Sequence, residues 1–497
     1  MTGTGAGTDA GTGTGTAVGT AARVRAGTAA DAGAGAGGTA GASRTTVALT
    51  LISAVTAIAL MNYTTPMLTL PGMIASFGTP LSAQAWLLNG TPLGLAALLL
   101  VAGSLADDYG RRRLFLTGTL ALGVTTLLGS LATTTLLFTL ARAAQGMASA
   151  AIITSGLGLI VHAFPPGHTR IRATGIWGAC VSGGIALGPL LAGVTAGLGW
   201  RAVYVVLGAA ALLAAAFVPR VLKESRAPRP GRPDLLGALT LGLASVSLLA
   251  ALTLGRDGWL RAPVWGLLAA TVVLAGAFVL VERRGEAPML DLGLLRHRGF
   301  LAATSGALFT GVAVIGLFSY LAALIQSTLG LGTLGVAWLF VLWAGTGFVV
   351  ALQARRLAGR VGARHQLALG FVLSAAGVLT MLGALNAGSW PRLVPGLLIA
   401  GVGNGLLNAA LPQLSVESVE PQRAAMGSGA NNTARYIGSS AGVALSIAVA
   451  TSATGETPAK ALAHGADHAL LVSAALALLG ALVTLALRDR RDPVARR

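Results

Sequence analysis

Long apolar stretches separated by short polar segments fill the chain from residue 45 onward. Most stretches are about 20 residues or longer, the length at which an α-helix spans the roughly 30 Å hydrocarbon core of a bilayer. We therefore expect an all-α membrane protein with 14 transmembrane helices. The pattern predicts these helices at residues 46–74, 84–106, 112–132, 135–161, 173–197, 201–222, 235–254, 262–282, 299–326, 333–353, 365–386, 393–413, 427–452 and 467–487.

The amino-acid composition agrees with a membrane protein. The 497 residues are 54% hydrophobic and 10% charged, with a mean hydropathy of +0.76, whereas about 25% of the residues of a soluble domain are charged. The single cysteine, Cys180, excludes an internal disulfide and a cysteine-based metal cluster. No metal-ligand spacing emerges from the six histidines. We expect neither a metal nor a cofactor.

The net charge of +18 has two explanations. Clustered lysine and arginine favour a nucleic-acid partner, because they release counterions from phosphate. Here, however, nearly all basic residues lie in the tails and in the short loops on one side of the predicted helices, as the positive-inside rule requires. The charge thus predicts a protein of the cell membrane, embedded in the lipid bilayer, with both termini in the cytoplasm and no nucleic-acid partner.

The chain is built in segments and repeats itself. Residues 1–44 are almost wholly Gly, Ala and Thr and predict a disordered cytoplasmic tail without the apolar segment of a signal peptide. The stretch LADDYGRRRLFLTG at 105–118 aligns with LAGRVGARHQLALG at 357–370, at an offset of 252 residues. Two six-helix pseudo-repeats with a two-helix central insertion are the plan of a secondary transporter. The expected segments are an N-terminal half at 45–222, the inserted pair with its linkers at 223–298, a C-terminal half at 299–487 and a basic cytoplasmic tail at 488–497.

Three stretches carry signature motifs. The loop between predicted helices 2 and 3 reads GSLADDYGRRR, helix 4 contains RAAQG and helix 5 contains GIWGACVSGGIALGPLLAG. Together they resemble the major facilitator superfamily, and within it the fourteen-helix drug:proton antiporters, over residues 45–490. The matched loop positions are Gly103, Leu105, Asp107, Gly110, Arg111 and Arg112, and the matched helix 5 positions are Gly175, Gly184, Gly188, Pro189 and Gly193, with Ala192 where glycine is usual.

The loop motif combines glycines with charges of both signs. Gly103 and Gly110 allow the backbone to pass closely through a tight turn. The carboxylate of Asp107 suits a neighbouring helix N-terminus, whose dipole favours an anion. The resemblance implies that this segment, which also contains Asp108, is a cytoplasmic latch between the two halves that favours the outward-facing state. The alternative is that the arginines only anchor the loop on the inner side.

The helix 5 motif leaves one helix face nearly smooth. Gly175, Gly184, Gly188 and Ala192 allow another helix to approach closely, and Pro189 removes one backbone hydrogen bond. Packing alone would account for the glycines. The resemblance implies an antiporter of the export type.

Two arginines lie within predicted helices, where a charge is costly and usually faces a cavity or a partner. Arg142 lies about 7 residues inside helix 4, roughly 10 Å along the axis, and Gln145 shares its face. The resemblance implies a role for Arg142 in proton transfer. Arg435 lies within NNTARYIG of helix 13. The candidate substrate contacts in the membrane interior are Asn62, Tyr63, Gln145, Asn404, Asn408, Asn432 and Arg435, for which interhelical hydrogen bonding is the alternative.

Helix 1 departs from the family motif. The stretch NYTTPMLTLP places Asn62 where the family has an acidic residue, and none of the 16 Asp and Glu residues lies in the middle of a predicted helix. A buried carboxylate that would attract a cationic drug is therefore missing, which favours neutral or anionic substrates. Proton coupling would then involve Asp107 or Asp108 near the inner surface, Arg142, or a proton carried by the substrate.

Together these features predict export of a small organic compound, an antibiotic or another drug-like metabolite, by alternating access with proton antiport in a functional monomer. Proton-linked uptake of a small metabolite is the alternative within transport, although the helix 5 motif speaks against it. A membrane receptor or a membrane-embedded enzyme would need a large folded loop or a paired nucleophile and base, and the sequence contains neither. No P-loop occurs, which excludes ATP as the energy source.

Overall fold

The computed structural model describes residues 3, 5, 45–165, 168–226, 235–255, 261–285, 292–357, 361–419 and 424–487. The predicted tails at 1–44 and 488–497 therefore lie outside the described residues, apart from Gly3 and Gly5. By its contacts the chain divides into two compact units, Met1–Ala48 and Leu49–Arg497. The second unit holds the helical bundle.

The bundle is built of α-helices, and no β-strand occurs in the parts of the chain described above. Ten helical segments in these parts are long and apolar enough to cross a membrane. The expected all-helical membrane fold is present, whereas the number of fourteen and the repeat remain predictions. In chain order the helices are α1 (Thr45–Thr64), α2 (Pro66–Phe77), α3 (Gln84–Tyr109), α4 (Arg111–Ser130), α5 (Thr135–Ala163), α6 (His168–Thr195), α7 (Trp200–Val221), α8 (Leu235–Gly255), α9 (Ala262–Arg284), α10 (Arg298–Phe309), α11 (Gly316–Leu329), α12 (Thr333–Leu357), α13 (Ala363–Thr380), α14 (Leu393–Glu417), α15 (Ala424–Ser452) and α16 (Pro458–Ala486).

Two stretches that were predicted as single helices are interrupted. The first, 46–74, breaks at Thr65, because Pro66 follows and has no N–H with which to continue the ladder. The second, 299–326, contains a π-helical segment, Thr310–Ile315, between α10 and α11. Such segments are rare and concentrate at functional positions in helices.

Of the other helix ends, two differ most from the prediction. Helix α13 ends at Thr380 instead of 386, because the following turns contain Gly383 and Gly388 at φ 72° and 63°. Helix α16 begins at Pro458 instead of 467, where Thr457 caps it by accepting a hydrogen bond from the N–H of Lys460 at 3.2 Å.

The earlier start of α16 places Asp467 inside the helix, whereas the predicted helix 467–487 began at this residue. Its carboxylate accepts hydrogen bonds from the Gly383 N–H at 2.9 Å and from Asn386 Nδ2 at 2.7 Å. Asp467 therefore ties α16 to the turns that follow α13. Neither of these two partners is a candidate functional residue.

Small residues determine how closely the helices pack, as expected where lipid removes the hydrophobic drive for helix association. A Cβ atom at Gly94 of α3 would overlap the Ala143 carbonyl oxygen of α5, and one at Gly146 would overlap the Thr91 carbonyl oxygen. Gly438 of α15 lies equally close to the Leu308 carbonyl of α10.

Among the described residues, the helices that precede α8 contact those that follow α9 mainly through α3 with α15, α6 with α12 and α2 with α11. Asn89 Nδ2 of α3 donates to the Ser440 carbonyl of α15 at 3.2 Å. Gln326 Nε2 of α11 donates to the Leu68 carbonyl of α2 at 3.2 Å. These contacts join the two groups of helices, those before α8 and those after α9.

Candidate functional site

Arg142 of α5 is the most completely buried charge in the described residues, with 0% of its surface exposed. Its Nη1 donates to the Asn62 carbonyl at 2.8 Å, to Asn62 Oδ1 at 2.5 Å and to Gln145 Oε1 at 2.8 Å. Its Nη2 donates to the Tyr63 carbonyl at 3.2 Å. A buried cation requires such compensation, and here four neutral oxygen atoms supply it.

The break in α1 explains why one of these oxygens is available. In a regular helix the Asn62 carbonyl would accept from the N–H four residues on, but that residue is Pro66, which has none. Arg142 supplies the missing donor to this carbonyl. The sequence alone indicates the unpaired Asn62 carbonyl, because a proline lies four residues after it, but it does not identify Arg142 as the donor.

The acceptors of Arg142 are themselves held in place. Asn62 Nδ2 donates to Thr126 Oγ1 of α4 at 2.7 Å, and Gln145 Nε2 donates to the Thr125 carbonyl at 3.1 Å. These bonds fix the amide oxygens toward the guanidinium. Asn62, Gln145 and Arg142, three residues singled out from the sequence, therefore form one network across α1, α4 and α5.

Tyr63 connects this network to the other group of helices. Its hydroxyl lies 3.1 Å from Ser439 Oγ of α15, in a hydrogen bond that either group can donate. Its ring meets the ring of Tyr436 edge to face, with centroids 5.8 Å apart. The same residue whose carbonyl binds Arg142 thus contacts α15 through its side chain.

Arg435 of α15 lies beside Tyr436 and is half-buried. Its Nη1 donates to Asn408 Oδ1 of α14 at 3.2 Å, and Asn408 Nδ2 donates to Asn404 Oδ1 at 3.2 Å. The structure therefore brings Arg435, Asn408 and Asn404 together. Asn432 is not part of this group, because its amide donates to the Ser428 carbonyl of its own helix at 3.0 Å.

The glycines of the helix 5 motif contact two different helices. Cβ atoms at Gly184 and Gly188 of α6 would overlap backbone atoms of Ala57 and Met61 in α1. A Cβ at Gly193 would lie 2.8 Å from Ala337 Cβ of α12. Gly175 and Ala192 are buried, and Pro189 lies inside the helix.

Most of the predicted loop motif is helical, because residues 103–109 belong to α3 and residues 111–113 to α4. The expected turn at Gly103 is therefore wrong, and only Gly110 forms a tight turn. Gly110 adopts φ 113°, a conformation that residues with a side chain rarely adopt, whereas a Cβ at Gly103 would meet no atom within 4 Å. Arg111 Nη1 donates to the Gly158 carbonyl of α5 at 3.1 Å. The side chains of Asp107 and Asp108 lie outside the described part of the structure.

Glu224, in the segment after α7, is a residue that the sequence reasoning missed. Its Oε1 accepts from the N–H of Arg112 at 3.0 Å, at the first turn of α4, and its Oε2 lies 3.9 Å from Arg113 Nε. The Arg111 N–H donates to the Ser225 carbonyl at 3.0 Å. A carboxylate is favourable at a helix N-terminus, so Glu224 holds the loop motif against the end of α7.

The sequence matches known transport proteins. Residues 52–443 match the model of the Major Facilitator Superfamily. The probable actinorhodin transporter of Streptomyces coelicolor is 34% identical over 400 residues, which cover 76% of this chain and 67% of that protein. The cephamycin export protein CmcT of Amycolatopsis lactamdurans is 34% identical over 443 residues, covering 86% and 90% of the two chains. The puromycin resistance protein pur8 of Streptomyces alboniger is 31% identical over 464 residues, covering 90% and 92%.

The fold also matches solved structures. A bacterial homologue of the human lysosomal transporter Spinster, in an inward-facing and occupied conformation, superposes with a TM-score of 0.64 over 89% of this chain and 96% of its own, at 16% identity. The human organic anion transporter MFSD10 superposes with a TM-score of 0.60 over 88% and 98%, at 19% identity. At these identities the similarity concerns the fold.

Proposed function

The chain belongs to the Major Facilitator Superfamily, and on that premise we propose that it exports a small drug-like organic compound, such as an antibiotic, across the cell membrane. It is a multi-pass membrane transport protein and not an enzyme. The relatives named for antibiotic transport, export and resistance support the direction of transport. The helix 5 glycines of α6 support it as well, because the resemblance ties that motif to exporters.

The observation that carries the proposal is the position of Tyr63. Its backbone binds the buried Arg142 on one side, and its side chain contacts Ser439 and Tyr436 of α15 on the other. Alternating access requires two groups of helices to move against each other around a central site. Tyr63 lies where such groups meet, and any movement between them changes its contacts.

We propose proton antiport as the energy source, neutral or anionic compounds as substrates and a monomer with cytoplasmic termini as the functional unit. The absence of a carboxylate among the described partners of Arg142 and Arg435 supports the substrate charge. Because Asn62 occupies the position of the family acid, the proton site falls to Asp107, Asp108, Arg142 or the substrate itself.

The test is an accumulation assay in cells with and without the protein, across a panel of fluorescent or radiolabelled compounds graded by charge. We expect lower accumulation of at least the neutral or anionic members in cells that contain the protein, and recovery when a protonophore is added. Higher accumulation would instead establish the uptake alternative. Lower accumulation that a protonophore does not reverse would refute proton antiport and leave export standing.

A further inference from the structure

The two arginines in the membrane interior differ in how fully their charges are compensated. Arg142 is fully buried and donates to four oxygen atoms of Asn62, Tyr63 and Gln145. A substrate could reach this guanidinium only by displacing bonds that also hold α1 to α5. The guanidinium of Arg142 therefore binds groups of the protein and is not available to a substrate.

Arg435 is in the opposite situation. Its guanidinium has one hydrogen bond, from Nη1 to Asn408 Oδ1 at 3.2 Å, against four for Arg142. The Nε atoms of both arginines are buried without a partner, so the two guanidinium groups differ in the acceptors of their Nη atoms. The side chain is half-buried, and no ion pair of the described residues includes it. A buried or partly buried cation with so few acceptors is costly, and an added anion would offset that cost.

The amides next to Arg435 supply only one hydrogen-bond acceptor to its guanidinium. Asn408 turns Oδ1 to the guanidinium because its Nδ2 donates to Asn404 Oδ1. The resulting chain from Asn404 to Asn408 to Arg435 presents a single neutral acceptor. A carboxylate or sulfonate offers two or three charged oxygens in a geometry that a guanidinium binds strongly.

A partly exposed polar stripe leads to Arg435 along α15. Ser428, Asn432 and Arg435 are spaced by four and three residues, share one helix face and are all half-buried. Tyr436 and Tyr63 are buried beside the guanidinium at the inner end of the stripe. An anion that binds Arg435 would therefore act next to the contact between Tyr63 and α15.

We propose that Arg435 is the binding site for the acidic group, a carboxylate or sulfonate, of the exported compound, and that Arg142 does not contact the substrate. This inference rests on the proposed export function and specifies its substrate class as organic acids. Asn408 orients the guanidinium. The acidic group of the substrate supplies the missing acceptors. Its binding changes the packing of Tyr436, which contacts Tyr63.

The experiment measures binding directly, by fluorescence anisotropy of two dyes with one xanthene scaffold and opposite charge, the anion fluorescein and a rhodamine cation. Purified full-length protein in lipid nanodiscs is titrated with each dye. We expect wild-type protein to bind fluorescein in preference to rhodamine. Arg435→Gln should weaken fluorescein binding by about tenfold or more, a change that corresponds to roughly 1.4 kcal/mol, and should leave rhodamine binding unchanged or tighter.

A second variant keeps the arginine but neutralises its charge with a carboxylate from the protein itself. Asn408→Asp places a carboxylate at 3.2 Å from Arg435 Nη1, so it should weaken fluorescein binding as much as Arg435→Gln does. Arg435→Lys should retain part of the affinity, because the charge remains and the planar fork is lost. Arg392→Gln removes an exposed arginine near the start of α14 and is the control, with wild-type affinity for both dyes.

The outcomes separate the subsite from the export function. Wild-type protein that binds fluorescein no better than rhodamine, or an Asn408→Asp variant that binds fluorescein like the wild type, would overturn the role of Arg435. An equal loss of both dyes in Arg435→Gln would show a structural role only. If cells with the protein expel neutral compounds while the subsite fails, the export function stands. If the accumulation assay fails for every compound, the export function is refuted whatever the dyes show.

Discussion

The contact at Gly193 offers a quantitative test of alternating access. A Cβ on Gly193 of α6 would lie 2.8 Å from Ala337 Cβ and 3.1 Å from Leu334 Cα of α12, whereas carbon atoms in ordinary contact lie about 3.5–4.0 Å apart. The two helices must therefore separate by about 1 Å to admit a methyl group, and by more to admit a leucine side chain.

The energetic cost falls on one state only. Over-packing of a tight contact costs about 1–3 kcal/mol. Helices α6 and α12 belong to different predicted halves, so a rocking movement would open their contact once in each transport cycle. A cost of about 1–3 kcal/mol in the closed contact alone reduces the population of that state by about 5- to 150-fold. We expect Gly193→Leu to slow transport within this range and Gly193→Ala to slow it less.

The assay is dye uptake into inside-out membrane vesicles, with rates normalised to the amount of folded protein from size-exclusion chromatography. Gly197→Leu is the matched control, because a Cβ there meets no atom within 4 Å and the added side chain is identical. We expect the control to transport at the wild-type rate. Equal rates for Gly193→Leu and Gly197→Leu would refute the idea that α6 and α12 must touch during the cycle.

Three other changes test the remaining contacts. Glu224→Ala removes the acceptor of the Arg112 N–H, so we expect a free energy of unfolding lower by about 1 kcal/mol, measured as a lower unfolding temperature. The control is Glu456→Ala, which removes an exposed carboxylate and should leave the unfolding temperature unchanged. Equal shifts in the two variants would contradict the capping role of Glu224. Arg142→Lys keeps the charge, but one ammonium group cannot donate to all four acceptors of the guanidinium. We therefore expect a folded, membrane-inserted protein with little transport. A wild-type transport rate would contradict the role of these four hydrogen bonds. Asn62→Asp adds a carboxylate that cancels the charge of the buried Arg142. Because Arg142 does not contact the substrate, the ratio of rhodamine to fluorescein export should stay at the wild-type value, and a higher ratio would contradict the assignment of charge selection to Arg435.

Much of the helical fold was predictable, because a run of about 20 apolar residues is by itself enough to predict a membrane helix. The pairing of Arg142 with Gln145 was also predictable, because residues three apart share a helix face. The spacing of the α6 glycines likewise predicted that they share a helix face and allow another helix to pack closely. Their partners in α1 and α12 were not, because the choice of partner depends on how distant helices pack.

The errors at helix ends have local causes that hydropathy alone hides. Apolar residues continue beyond Thr380, where α13 ends, yet Gly383, Asn386 and Gly388 in this stretch are turn residues. Helix α16 starts at a Thr457 and Pro458 pair, a standard N-terminal signal, in a stretch too polar to count as membrane. Reading caps and turns alongside hydropathy would have corrected both.

The contacts of the site itself needed the structure. Glu224 and Arg112 are separated by 112 residues, and Asn62 and Arg142 by 80. Nothing in a single sequence pairs residues at such distances. The sequence did identify Arg142, Asn408 and Arg435 as unusual, because polar groups in a membrane interior are costly. It predicted proton transfer for Arg142 and substrate contact for Arg435, but not the difference in their hydrogen-bond acceptors.

The most direct test of export is the movement of an organic anion against its gradient. Inside-out vesicles that contain the protein are loaded to an acidic interior, and the uptake of fluorescein is followed with and without nigericin, which collapses the proton gradient. We predict uptake that depends on the gradient and that Arg142→Lys abolishes. Vesicles that take up no more fluorescein with the protein than without it, while the gradient is intact, would contradict proton-driven export of organic acids.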